Sequence, residues 1–66
     1  MFKLTSYIYS CGEKYGWIRL YVKNITYIID VHLFGISCPV ETVKTDDYSL
    51  ALHKFTILEN KYNGRG

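Results

Sequence analysis

The chain has 66 residues, 48% of them hydrophobic and 17% aromatic, with eight basic and six acidic side chains and a net charge of +2. That length makes a single domain, residues 1–66, with no room for a second. The hydrophobic content excludes a disordered chain, and the small net charge falls short of a dedicated, strongly basic nucleic-acid binder. Apolar runs of only a few residues predict neither a signal peptide nor a membrane-spanning helix, so the expected setting is soluble and cytoplasmic, with no membrane contact.

Residues 2–10 alternate Phe2, Leu4, Ser6 and Ile8 with Lys3, Thr5, Tyr7 and Tyr9, the period of two that predicts a strand. Cys11-Gly12-Glu13-Lys14 reads as a hairpin turn, because Gly12 accepts the positive φ that tight turns require. A second strand is predicted over 15–23, with Ile18, Leu20 and Val22 opposite Trp17, Arg19, Tyr21 and Lys23. Lys23-Asn24 is the next turn, and a third strand over 25–34 is rich in β-branched and aromatic residues. Gly35 and Pro39 end the sheet, and 40–45 is expected to be a connector.

Asp46 or Asp47 then suits a helix N-cap. Tyr48, Ala51, Leu52, Phe55, Leu58 and Tyr62 follow at spacings of three and four, one face of a helix that stops at Asn63-Gly64. The expected fold is therefore α+β: a three-stranded antiparallel meander sheet with one C-terminal helix packed on one face (β-β-β-α). A competing arrangement ends the helix near His53 and makes Phe55-Thr56-Ile57-Leu58 a fourth strand, since those residues also suit a sheet.

Strand periodicity fixes which residues share a face. The helix should cover Leu4, Ile8, Ile18, Leu20, Val22, Ile29, Val31 and Leu33. The far face then carries Tyr7, Tyr9, Tyr15, Trp17, Arg19, Tyr21, Lys23, Ile28, His32 and Phe34. Tyr, Trp and Arg are the anchor types of protein interfaces. The expected function is a non-enzymatic protein-binding module, with Tyr7, Tyr9, Tyr15, Trp17, Arg19, Tyr21, Lys23 and His32 contacting a host or partner protein. Abundant Ile, Tyr, Lys, Asn and Phe, whose codons are A/T-rich, give that reading its most concrete form: a viral, phage or mobile-element inhibitor of a host factor.

Stacking of nucleic-acid bases on the same rings, with Lys3, Arg19 and Lys23 meeting phosphates, is the alternative. Asp30 on that face and the low net charge rank it second. A homodimer closed through the sheet or its edges, and cross-strand ring pairs that merely stiffen the sheet, also fit the pattern.

No cofactor, metal or catalytic residue is predicted. Cys11, His32, Cys38 and His53 lack the close paired spacing of zinc sites. Gly12 and Gly16 match no phosphate-binding loop. Two cysteines in so short a chain, Cys11 and Cys38, read first as reduced, largely structural thiols, with one disulfide between them as the alternative. The run Val31-His32-Leu33-Phe34-Gly35-Ile36-Ser37-Cys38-Pro39 resembles the third strand of staphylococcal-type nucleases. His32 stands at that family's arginine position and Ser37 at its calcium-binding aspartate, so the resemblance implies no cleavage chemistry here.

Overall fold

The computed structural model describes residues 3–63. Four strands, β1 (Lys3–Ser10), β2 (Glu13–Lys23), β3 (Thr26–Leu33) and β4 (Glu41–Thr45), precede one helix, α1 (Tyr48–Tyr62). The strands lie in sequence order as an antiparallel meander. The fold is thus α+β with four strands where three were expected.

Within 40–45, expected to be a connector, lies the edge strand β4, which pairs Glu41–Thr45 with Val31–Tyr27. Its sequence, Glu-Thr-Val-Lys-Thr, alternates half-buried Glu41, Val43 and Thr45 with exposed Thr42 and Lys44. The competing arrangement also fails in its detail, because the additional strand comes before the helix. Phe55 and Leu58 are buried helical residues rather than strand residues.

Local chemistry sets the boundaries. Ser10 pairs with Glu13, leaving a two-residue turn at Cys11-Gly12, shorter than the four residues expected. Both turn residues have positive φ, 54° and 82°, the signature of the type I′ turn whose twist matches a hairpin. Lys23 pairs with Thr26, so the second turn is Asn24-Ile25 rather than Lys23-Asn24. Asn24 takes the left-handed position at φ 59°. Ile25 is consequently a turn tip, 80% exposed, and not the first apolar residue of β3.

Asp47 is the N-cap, its side chain accepting from the Leu50 N–H at 3.2 Å. Asn63 closes the other end, its backbone N–H and side-chain amide both donating to the Glu59 carbonyl. Phe2, Gly64 and the tail to Gly66 lie outside the described residues.

The core lies between sheet and helix: Ile8, Ile18, Leu20, Ile29 and Val31 against Ala51, Phe55 and Leu58. Each large aliphatic or aromatic member contributes about 1.5–3 kcal/mol over leaving it exposed. The helix packs against all four strands. At its start Tyr48 meets Tyr27 of β3, with ring centroids 5.4 Å apart. Its last two turns are tied to both edge strands. Ser6 of β1 donates to Glu59, the Tyr9 N–H donates to Asn63, and Lys61 and Tyr62 donate to Glu41 of β4. Leu4, expected under the helix, is instead 38% exposed on the edge strand, and Val22 and Leu33 are half-buried at the margins.

The clasp at Glu41 makes stability depend on pH. The Tyr62 hydroxyl (2.7 Å) and, after it, the Lys61 ammonium (3.1 Å) hold the Glu41 carboxyl below its ordinary range. Burial first, and then the bond to Glu41, pushes the Tyr62 phenol up to about 12. A lowered acid stabilises the fold above its ordinary pKa, and that contribution is lost as pH falls through the folded value. A raised phenol stabilises below its ordinary pKa of 10, and the contribution disappears as pH rises towards about 12. Thermal melts of wild type and Tyr62→Phe should therefore differ at neutral pH and converge between pH 10 and about 12. A gap in melting temperature that stayed constant across that window would show that the bond is not what stabilises the clasp.

Candidate nucleic-acid interface on the outer sheet face

Pairing register fixes the residues of the face away from the helix. Three cross-strand rows run over it: Tyr7–Trp17–His32, Thr5–Arg19–Asp30–Thr42 and Lys3–Tyr21–Ile28–Lys44. The predicted strand phase holds, and Trp17 stands on the outer face beside Tyr7, Arg19, Tyr21 and His32.

The face is more collapsed than an open display of rings. Ile28 (8% exposed) and Asp30 (7%) are buried in it, while Trp17, Arg19, Tyr21 and His32 are half-buried. Neighbouring side chains lie across the centre. The indole of Trp17 stacks on the His32 imidazole at 5.0 Å between centroids and 15° between planes, and Phe34 tilts against it at 5.7 Å. The Tyr21 hydroxyl donates to the Asp30 carboxylate at 3.0 Å. Burial, and then that bond, raises the Tyr21 phenol above its ordinary pKa. His32 Nε2 lies 3.9 Å from the same carboxylate, too far for a hydrogen bond, and has no other partner among the described residues.

The predicted site residues separate into three groups. Tyr7, Trp17, Arg19, Tyr21 and His32 form one contiguous patch with Phe34. Lys23 stands at the far end of β2, beside the second turn. Tyr9 and Tyr15 sit near the first hairpin, where a β-bulge interrupts the register: Ile8 pairs with Gly16 but Tyr9 pairs with Lys14. Tyr15 is the extra residue of that bulge and faces no partner across β1.

The bulge also reverses the alternation, placing Lys14 on the outer face with its ammonium 4.2 Å from the centre of the Tyr7 ring. Lys14 therefore belongs to the patch, and so do Thr5 and Lys44. Thr5 could have been found from its alternation with Lys3 and Tyr7. Lys14 was hidden by the bulge, and Lys44 by the missed strand.

A shallow hollow of about 360 Å³, open to solvent, lies on this face between Lys3, Thr5, Tyr7, Trp17, Arg19 and Phe34. Charge is sorted around it. Five of the eight basic residues, Lys3, Lys14, Arg19, Lys23 and Lys44, are on the outer face. Of the six acidic residues only Asp30 is there, buried beneath Tyr21. Glu41 and Glu59 are held on the helix side by Tyr62 and Ser6, Asp46 and Asp47 flank the helix start, and Glu13, exposed beside the first hairpin, pairs with Ser10 in the helix-side phase. A net charge of +2 thus conceals a polarised molecule.

The expected structural thiols are misplaced. Cys11 and Cys38 are both free and exposed, Cys11 in the first turn and Cys38 in the connection between β3 and β4. Neither contributes to the core, because the chain uses both in loops. Among the described residues no three His, Cys, Asp or Glu side chains gather as metal ligands, and no helix is long and apolar enough to cross a membrane. Set against known protein families, curated proteins and solved structures, the chain finds no match.

Proposed function

We propose that this chain is a small non-enzymatic binding module that holds single-stranded nucleic acid on the outer face of its sheet. The observation that carries this reading is the sorting of charge, five cations against one carboxylate bonded by a tyrosine, on the sheet face that carries the indole. Both reasons for ranking nucleic acid second, the aspartate on the face and the low net charge, lose their force once Asp30 is buried and the acids lie elsewhere. Sequence-tolerant single-strand sites combine cations that follow the backbone with rings on which bases stack, and this face has both.

The test is binding of a labelled thymidine decamer across a range of salt. Log affinity should fall linearly with log salt, by about 0.7 for each phosphate contacted. Neutralising Lys14, Lys23 and Lys44 together to glutamine should flatten that slope, while Lys54→Gln on the exposed helix surface should leave it unchanged. Equal slopes in all three proteins would remove the cationic face from consideration.

A partner protein is the second reading, and the exposure of Tyr7, Tyr9, Tyr15 and Phe34, each about half-open to solvent, favours it. In that form the chain fits a viral, phage or mobile-element inhibitor of a host factor. Affinity would then depend little on salt, and truncating Trp17 would cost about 2 kcal/mol or more.

A further inference from the structure

We propose that the hollow on the outer face is a subsite for one nucleotide, its base lying against the indole of Trp17 and its phosphate between Lys3 and Arg19. This rests on the single-strand reading and adds to it a place, an occupant and an orientation.

The orientation follows from the stack. Cross-strand neighbours in a sheet stand about 4.8 Å apart. Trp17 and His32 are such neighbours, and their rings are nearly parallel at 5.0 Å. The imidazole therefore stacks on the indole from the β3 side. On β1 the direct cross-strand neighbour of Trp17 is Tyr7, and Thr5, diagonal to Trp17 and across from Arg19, places a short side chain between Lys3 and Tyr7 along the strand. Thr5, Tyr7 and Trp17 all line the hollow, and its volume of about 360 Å³ falls in the range of small-ligand sites, roughly 300–1,000 Å³. Being open to solvent, it admits a ring without closing off the chain on either side.

The charge beside it is uncommitted. Arg19 lies directly across from Asp30, the arrangement that ordinarily gives a cross-strand ion pair. None forms among the described residues, because the carboxylate is engaged by the Tyr21 hydroxyl at 3.0 Å with His32 Nε2 3.9 Å away. The guanidinium instead lies 5.5 Å from the centre of the Tyr21 ring and borders the hollow, its Nε buried without a hydrogen-bond partner among the described residues. Lys3 borders the same space from β1. A planar ring with an anion attached satisfies the indole and both cations at once. Lys14 near the hairpin, and Lys23 and Lys44 at the other end, extend the positive track for neighbouring phosphates.

Trp17 is the single tryptophan, so its emission reports directly on the hollow. The full-length chain would be titrated at low salt with a thymidine decamer, and separately with polyglutamate of the same length. The decamer should quench Trp17, and polyglutamate should not. Thr5→Leu fills the hollow from an exposed strand position, and Arg19→Gln removes its charge. Each should weaken decamer binding about tenfold or more, the loss expected of one stacked base, and circular dichroism of both variants would confirm the fold.

If the decamer bound without altering Trp17 emission, and Thr5→Leu bound as tightly as wild type, the subsite would be wrong while the single-strand reading survived. Absence of any decamer binding would overturn both. Quenching by polyglutamate at equal affinity would make the occupant an acidic protein segment and overturn the nucleotide assignment.

Discussion

Replacing Gly16 by alanine should lower the unfolding free energy by about 3 kcal/mol, at the upper end of the cost of inserting one methyl into a packed interior. Gly16 lies where β2 is paired on both sides, to Ile8 of β1 and Leu33 of β3, beside the bulge. A Cβ built there would come within 2.1 Å of the His32 carbonyl oxygen and 3.0 Å of the Leu33 Cα. Both are backbone atoms of the adjoining strand, so no rotamer change relieves the clash, and β2 and β3 must separate locally. A domain of this size has only a few kcal/mol of net stability, and a loss on this scale leaves a large unfolded fraction at room temperature. Urea titration followed by Trp17 emission would measure it. Gly12→Ala supplies the contrast: a Cβ there meets nothing within 4 Å, but φ is +82°, so its cost is conformational and about 1 kcal/mol. A Gly16→Ala effect no larger than that of Gly12→Ala would mean the strands are not in van der Waals contact at this point.

The strands and helix that carry most of the fold were legible because their periods are clean. Trp17-Ile18-Arg19-Leu20-Tyr21 alternates without interruption, and the structure places it as that alternation predicts. The helix was legible from its spacing of three and four despite containing Phe55-Thr56-Ile57-Leu58, whose intrinsic preference is for a sheet. The edge strand β4 was not. Five residues following a proline give two and a half periods, too few to distinguish from a loop, and the strand exists because β3 offers it a paired edge.

The candidate site was legible in its rings and not in its charge. Which cations accompany Trp17 depends on the bulge at Lys14 and on β4 at Lys44, and neither is written in local sequence. The shielding of Asp30 depends on a bond from Tyr21, on the neighbouring strand. Net charge is a property of composition, and sorting it between two faces is a property of the fold.

The helix itself provides the second large effect. Phe55→Ala should cost about 3–5 kcal/mol, the range for truncating a buried phenylalanine, because Phe55 packs with Leu20, Ile29 and Val31 on the covered face of the sheet. Ile57, two residues on, is 44% exposed on the opposite side of the helix. Ile57→Lys should change stability by no more than about 0.5 kcal/mol, as expected of a surface substitution away from caps and buried partners. In a strand running through the same residues, alternation would put Phe55 and Ile57 on one face, and the two substitutions would act alike. The ratio of the two losses, measured by chemical denaturation, therefore reads the local period directly. It also bears on function, since a helix here is what covers one side of the sheet and leaves the indole and its five cations on the other. Were Ile57→Lys as damaging as Phe55→Ala, the inner face of the sheet would lose its cover, and the polarity between the two faces would have no structural basis.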